Sequence, residues 1–148
     1  MTIEVQPLKA GERAAWEPLA RGYKHFYDTP VTSAEIDAAW FRLMGDPRML
    51  GLGAWHDGAL VGITHALFHA STWSADVCYL QDLFVAEAAR GQGAAAALIA
   101  AVAAAAHERG APRLYWLTHA SNARARALYD RVAAHKGFVR YDLAMPPP

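Results

Sequence analysis

Val77-Cys78-Tyr79-Leu80-Gln81-Asp82-Leu83-Phe84-Val85, followed four residues later by Arg90-Gly91-Gln92-Gly93-Ala94-Ala95, decides the fold. The first run is long, aromatic and β-branched, a composition that suits a pleated surface, and it predicts a central strand. The second opens into an alanine-rich stretch that Gly110 and Pro112 stop, and it predicts a helix over Gly93 to Arg109. At such a junction the first N–H groups of the helix lack intrahelical partners, and the positive end of the dipole faces the loop. Gly91 and Gly93 reach backbone angles closed to other residues, while small Ala94 and Ala95 let an anion approach the main chain. Arg90 adds a charged fork. The loop reads as an anion site or, without a ligand, as a glycine-containing connection. It is neither a P-loop, since no Gly-Lys-Ser/Thr follows, nor the three-glycine dinucleotide fingerprint.

Working outward, Met49 to His56 and Ala59 to Ala70 are apolar runs joined by Asp57-Gly58, a dipeptide suited to a tight hairpin turn, so they pair antiparallel. Ile3 to Leu8 alternates as a strand. From Gly11-Glu12 onward Trp16, Leu19, Ala20, Tyr23 and Phe26 fall at helical spacing. Thr32-Ser33-Ala34-Glu35 caps a second helix whose face is Ile36, Ala39, Trp40 and Leu43, ending at Gly45 and Pro47. Beyond the alanine helix come a short strand, Leu114 to Thr118; a helix, Asn122 to Ala134; a last strand, Phe138 to Leu143; and a proline tail. That order predicts an α/β fold: a mixed, mostly antiparallel central sheet with helices on both faces. No repeat or linker interrupts it, so residues 1–148 read as one domain.

The composition narrows the function. Fourteen basic and fourteen acidic residues cancel, leaving no overall field to hold a nucleic acid or an anionic membrane. Cys78 is the single cysteine, which excludes an internal disulfide and a cysteine zinc site and suits a reducing cytosol. Met1-Thr2-Ile3-Glu4 lacks the basic start and apolar run of a signal peptide, and the apolar run Gly93 to Ala106 is shorter than the roughly 20 residues of a membrane span. The expectation is a cytoplasmic protein with no nucleic-acid or membrane partner.

Arg90, Gly93 and Ala95 match a Gln/Arg-x-x-Gly-x-Gly/Ala loop after a central strand. Asn122, Ala125, Leu128 and Tyr129 match an Asn-x-x-Ala-x-x-Leu-Tyr helix, and Gly137-Phe138 matches its usual close. On these residues the chain resembles the GCN5-related N-acetyltransferase (GNAT) superfamily. Tyr79 to Val85 and Tyr115-Trp116-Leu117-Thr118 are similar to the branch holding the yeast histone and polyamine acetyltransferases and spermidine/spermine acetyltransferase. The detailed match runs from Trp73 to Tyr141, and earlier residues agree in element order alone. The resemblance implies acceptor-side elements over about residues 1–72 and an acyl-CoA core over about 73–145, with acetyl-CoA as co-substrate and no metal. It implies that the backbone of Leu83, Phe84 and Val85 pairs with the pantetheine arm as an added strand. Arg90, Gly91, Gln92, Gly93, Ala94 and Ala95 then take the pyrophosphate. Asn122 and Ala125 lie along the arm, although Asn122 reads equally well as a helix cap.

Acyl transfer to an amine needs a neutral nucleophile, a polarised thioester carbonyl and a proton for the departing thiolate. N–H groups near Leu83 to Val85 suit the carbonyl. Tyr129, a phenol that stays protonated at neutral pH, is the candidate acid by resemblance, whereas periodicity alone also fits a core tyrosine. The base is open, because relatives carry glutamate where this chain has Gln81 or Tyr79. Gln81 can orient a water but cannot accept the proton of an ammonium. Asp82 is the nearest carboxylate, as base or amine anchor, yet alternation points it away from Tyr79 and Gln81 unless a bulge intervenes. His65 and His69 share a strand face and fit a water relay, a metal or plain packing. Tyr23, Phe26, Tyr27 and Trp73 wall an amine site or belong to the core. Asp28, Glu35 and Asp37 attract a polyamine or are solvated surface.

The expected activity is N-acetyl transfer by direct attack in a ternary complex, to a primary amine of a small molecule, amino acid, polyamine or lysine side chain. The alternative is a catalytically weak acyl-CoA-binding or regulatory module. A homodimer through Phe138 to Leu143 completes the expectations.

Overall fold

The computed structural model describes residues 2–148. They divide after Leu117 into two units. The first holds β1 (Glu4–Pro7), α1 (Arg13–Phe26), α2 (Ser33–Gly45), β2 (Met49–His56), β3 (Ala59–His69), β4 (Val77–Val85), α3 (Ala94–Glu108) and β5 (Leu114–Tyr115). The strands lie in the order β1-β2-β3-β4-β5, antiparallel except for the parallel pair β4–β5. The α/β class and mostly antiparallel sheet are as expected.

Local chemistry sets the boundaries. Asp57 and Gly58 both have positive φ, 49° and 77°, as a two-residue hairpin with the right twist requires. At the start of α2, Thr32 Oγ1 accepts from Glu35 N–H at 3.1 Å while Glu35 Oε2 accepts from Thr32 N–H at 3.4 Å. That reciprocal cap satisfies two otherwise orphaned donors.

The strand period of two sorts side chains to opposite faces. Ile63 joins Leu8, Trp16, Leu19, Ala20, Ile36, Trp40 and Leu43 in one buried cluster, so α1 and α2 cover that face. The other face carries α3: Leu98 and Val102 are fully buried, and a Cβ on Gly62 would lie 3.2 Å from Leu98 Cδ1. Alanine keeps α3 thin, which lets it lie this close to the sheet.

One irregularity positions the site. His65 pairs with Asp82 but the next residue, Ala66, pairs with Leu80, so Gln81 is an extra residue bulged out of β4. A bulge resets alternation. His65 and Leu67 share a face of β3, and their partners Asp82 and Tyr79 therefore share the corresponding face of β4. Simple alternation would have separated those two. The parallel ladder ends at Tyr79↔Tyr115, just before the bulge, which leaves β5 at Leu114–Tyr115 rather than the expected Leu114 to Thr118.

The second unit contains α4 (Ala123–Val132), shorter than the expected Asn122 to Ala134 because Ala133 is already extended. Residues 134–148 form no helix or strand, so the expected strand Phe138 to Leu143 is absent. Alternation supplies a strand's face but not its ladder, and no strand of this unit offers a partner edge. No described helix is long and apolar enough to cross a membrane.

Candidate active site

The donor side begins at an unpaired edge. Ala86 N–H donates to Val61 O at 2.8 Å, which fixes the phase of the strand: main-chain groups of Phe84 and Asp82 face β3, and those of Leu83 and Val85 face the opposite edge. With β5 gone after Tyr79, that edge meets no strand. Arg90 Nε donates to Val85 O at 3.1 Å. Leu83 N–H and C=O and Val85 N–H are thus the groups set out for an added extended chain. Of the three residues expected to pair with pantetheine, Phe84 spends its main chain on β3.

The following loop turns on the two glycines that its sequence singles out. Gly91 and Gly93 adopt φ of 79° and 90°. A Cβ at either would meet nothing within 4 Å, so backbone angle rather than space calls for glycine. Ala97 N–H donates to Gly93 O at 3.0 Å, and the N–H groups ahead of it open α3 toward the loop. These features fit a pyrophosphate. Gln92 is exposed, Ala94 buried and Ala95 half-buried. Besides reaching Val85 O, the Arg90 guanidinium lies 5.8 Å from the Phe26 ring centroid and 5.6 Å from that of Phe84.

The candidate acceptor side centres on Asp82. Its Oδ2 lies 2.9 Å from His65 Nδ1, and His65 Nε2 lies 2.9 Å from Trp16 Nε1. Tyr23, Tyr27 and Lys24 stand close enough to the same carboxylate to interact with its charge. Burial works to raise the Asp82 pKa, but His65, through its hydrogen bond and electrostatically, and then Tyr23 and Lys24 outweigh it and hold the carboxyl below its usual value. Burial and then the Asp82 charge push Tyr23 upward, so its phenol stays protonated. At neutral pH this site holds a negative charge among aromatic rings. Tyr23 and Tyr27 pack with ring centroids 5.0 Å apart.

Beyond the bulge, Tyr79 stacks on Tyr115 at 4.9 Å, and the Tyr115 hydroxyl donates to His69 Nε2 at 2.8 Å while His69 Nδ1 donates to Ala70 O at 2.9 Å. His65 and His69 thus serve separate networks, and among the described residues no three His, Cys, Asp or Glu gather as metal ligands. Gln81, the bulged residue, is exposed. Trp73 sits in the β3–β4 turn, 94% exposed, and has no part in the Asp82 cluster. In the second unit Asn122 Oδ1 accepts from Ala125 N–H at 3.3 Å as the cap of α4, and Tyr129 is half-buried on that helix.

Sequence reasoning missed Trp16 and its link through His65 to Asp82. Trp16 and Tyr23, seven residues apart, share a helix face. Connecting them to Asp82 needs the β3–β4 register, which residue spacing does not contain.

The acetyltransferase (GNAT) family model matches residues 14–134. The chain is 34% identical over 144 residues to the D-amino-acid N-acetyltransferase HPA3 of Saccharomyces cerevisiae, covering 94% of this chain and 89% of that protein. It is 30% identical over 147 residues to the N-acetyltransferase YhfO of Bacillus subtilis, covering 97% of this chain and 99% of that one. Among solved structures, the aminoglycoside acetyltransferase AAC(6')-Iy in complex with a CoA-linked bisubstrate analogue shares the fold, with a TM-score of 0.87, 16% identity and coverage of 99% and 100% of the two chains.

Proposed function

The chain belongs to the acetyltransferase (GNAT) family and is an acetyl-CoA-dependent N-acetyltransferase, and from that premise we propose that it acetylates a small primary amine held as an ammonium by Asp82. The observation that carries the choice of acceptor is Asp82 itself: a carboxylate held ionised, with Tyr23 and Tyr27 beside it, on the same sheet face as Tyr79. Such a setting favours a cation through charge and ring faces together. A free amino acid is the preferred acceptor, in keeping with the D-amino-acid activity named for the yeast relative.

Acetyl-CoA supplies the activated acetyl group. Leu83 and Val85 hold its arm through main-chain groups, and Leu83 N–H polarises the thioester carbonyl. Gly91 to Ala95 bind the pyrophosphate through backbone N–H groups, Arg90 keeps the strand end in shape through Val85 O, and Asn122 and Ala125 line the arm. Asp82 orients the amine. A carboxylate below its ordinary pKa is a weak base toward an ammonium near 10, so the proton leaves through water that the exposed Gln81 amide orients. Tyr129 protonates the departing thiolate; the Asn122-to-Tyr129 pattern supports that role. Attack is direct, in a ternary complex.

The enzyme acts in the cytoplasm, which the lone buried Cys78 suits. It works as a homodimer in which residues 138–143 find strand partners on a second copy, a state that light scattering on purified protein reads directly.

Thiol release from acetyl-CoA across a panel of amines, D- and L-amino acids included, tests this reading. Turnover on small amines is expected, and Tyr129→Phe lowers kcat about a hundredfold or more with acetyl-CoA affinity intact. Tight CoA binding with no turnover on any amine would instead favour a binding module.

A further inference from the structure

Asp82 is braced from behind by a chain of hydrogen bonds whose direction is fixed by chemistry. The Trp16 indole N–H can only donate, so His65 Nε2, 2.9 Å away, is the bare nitrogen. The proton of the neutral ring then sits on Nδ1, which donates to Asp82 Oδ2 at 2.9 Å. Trp16 is 1% exposed and packs on Trp40 at 4.8 Å, so the donor cannot swing away without disturbing the core. The bulge at Gln81 brings Asp82 opposite His65 in register. We infer that Trp16 and His65 are positioning residues: they lock His65 as the Nδ1–H tautomer, aim the Asp82 carboxylate as an ionised acceptor for the ammonium, and bar His65 from acting as the base. This rests on Asp82 as the amine anchor.

The groups facing Asp82 are His65 from β3 and Tyr23, Lys24 and Tyr27 from α1. Removing the His65 donor leaves burial less opposed, so the carboxyl titrates at higher pH. His65→Asn keeps an N–H donor at the position of Nδ1, whereas His65→Leu removes it.

The test combines two readouts that need no turnover with one that does. In imidazole 15N spectra of the wild type, His65 shows the Nδ1–H tautomer; an Nε2–H pattern overturns the inference. With 13C-labelled aspartate, Asp82 assigned by loss of its signal in Asp82→Asn, the carboxyl midpoint rises in His65→Leu and stays near wild type in His65→Asn. In kinetics, His65→Leu raises the amine KM about tenfold at unchanged kcat, and His65→Asn recovers most of that loss. An unmoved midpoint in His65→Leu, or an Asn variant no better than Leu, also overturns it. If the wild type acetylates no amine, the functional reading fails while the two spectroscopic readouts still decide the tautomer and the support of Asp82.

Discussion

From Leu83 to Ala95 the proposed donor site is written in main chain: an open strand edge, two glycines at positive φ and the first turn of α3. Around Asp82 it is written in side chains, with Trp16 and Tyr23 from α1, His65 from β3 and Asp82 from β4 brought together by a bulge. A main-chain site recognises what every donor of one class shares, an extended amide arm and a pyrophosphate, and it tolerates most changes of side chain. A side-chain site recognises one acceptor, and each residue in it is replaceable. The two regions therefore predict separable effects of mutation.

Within these two regions, Asp82→Asn has the largest expected effect. It removes the partly buried charge that, in the proposed reading, holds the ammonium, and kcat/KM for the amine falls about a hundredfold, in keeping with the roughly 2–5 kcal/mol lost when one partner of a desolvated charge pair is truncated. Steady-state kinetics with varied amine checks it. Gly93→Val comes next, on the other side. Forcing a Cβ-bearing residue to φ of 90° costs roughly 1–2 kcal/mol in the left-handed region, more for a β-branched side chain. Calorimetry then gives acetyl-CoA binding weaker by about tenfold, with the amine KM unmoved. Tyr23→Phe is milder, because His65 still donates to the carboxylate, and the amine KM rises about threefold.

The smallest effect is on stability in acid. Asp82 has a lowered pKa in the folded chain, so its contribution is complete above the ordinary aspartate value near 4 and disappears as pH falls through the lower folded value. Asp82→Asn thus loses part of the wild type's acid sensitivity. Chemical unfolding at a series of pH values checks this through the shrinking gap between the two proteins below about pH 4.

This contrast also explains how much could be read from the residues alone. The strand Val77 to Val85, the Asp57-Gly58 turn, the Thr32–Glu35 cap and the Gly93 to Arg109 helix are local instructions, and the structure follows each to within a residue or so. The donor loop is legible for the same reason, since contiguous residues specify backbone angles. Asp82 was visible as a carboxylate, but its face was not. The Gln81 bulge reverses the alternation rule, and a bulge depends on the pairing of β4 with β3 rather than on any residue in either. Phe138 to Leu143 fails in the opposite direction. It has the right alternation for a strand and no strand beside it in its unit. The Arg90 guanidinium lies beside the Phe26 and Phe84 rings, a contact between α1, β4 and the loop that residue spacing does not contain.

The most direct measurement crosses the two regions: acetyl-CoA affinity and amine KM, both determined for Gly93→Val and for Asp82→Asn. A donor site built from main chain and an acceptor site built from side chains predict that Gly93→Val weakens acetyl-CoA about tenfold and leaves the amine alone. Asp82→Asn should raise the amine KM and leave acetyl-CoA affinity within about twofold. If Asp82→Asn weakens acetyl-CoA as much as it weakens the amine, or leaves the amine KM unchanged, Asp82 is not the acceptor's anchor and the division of the site is wrong.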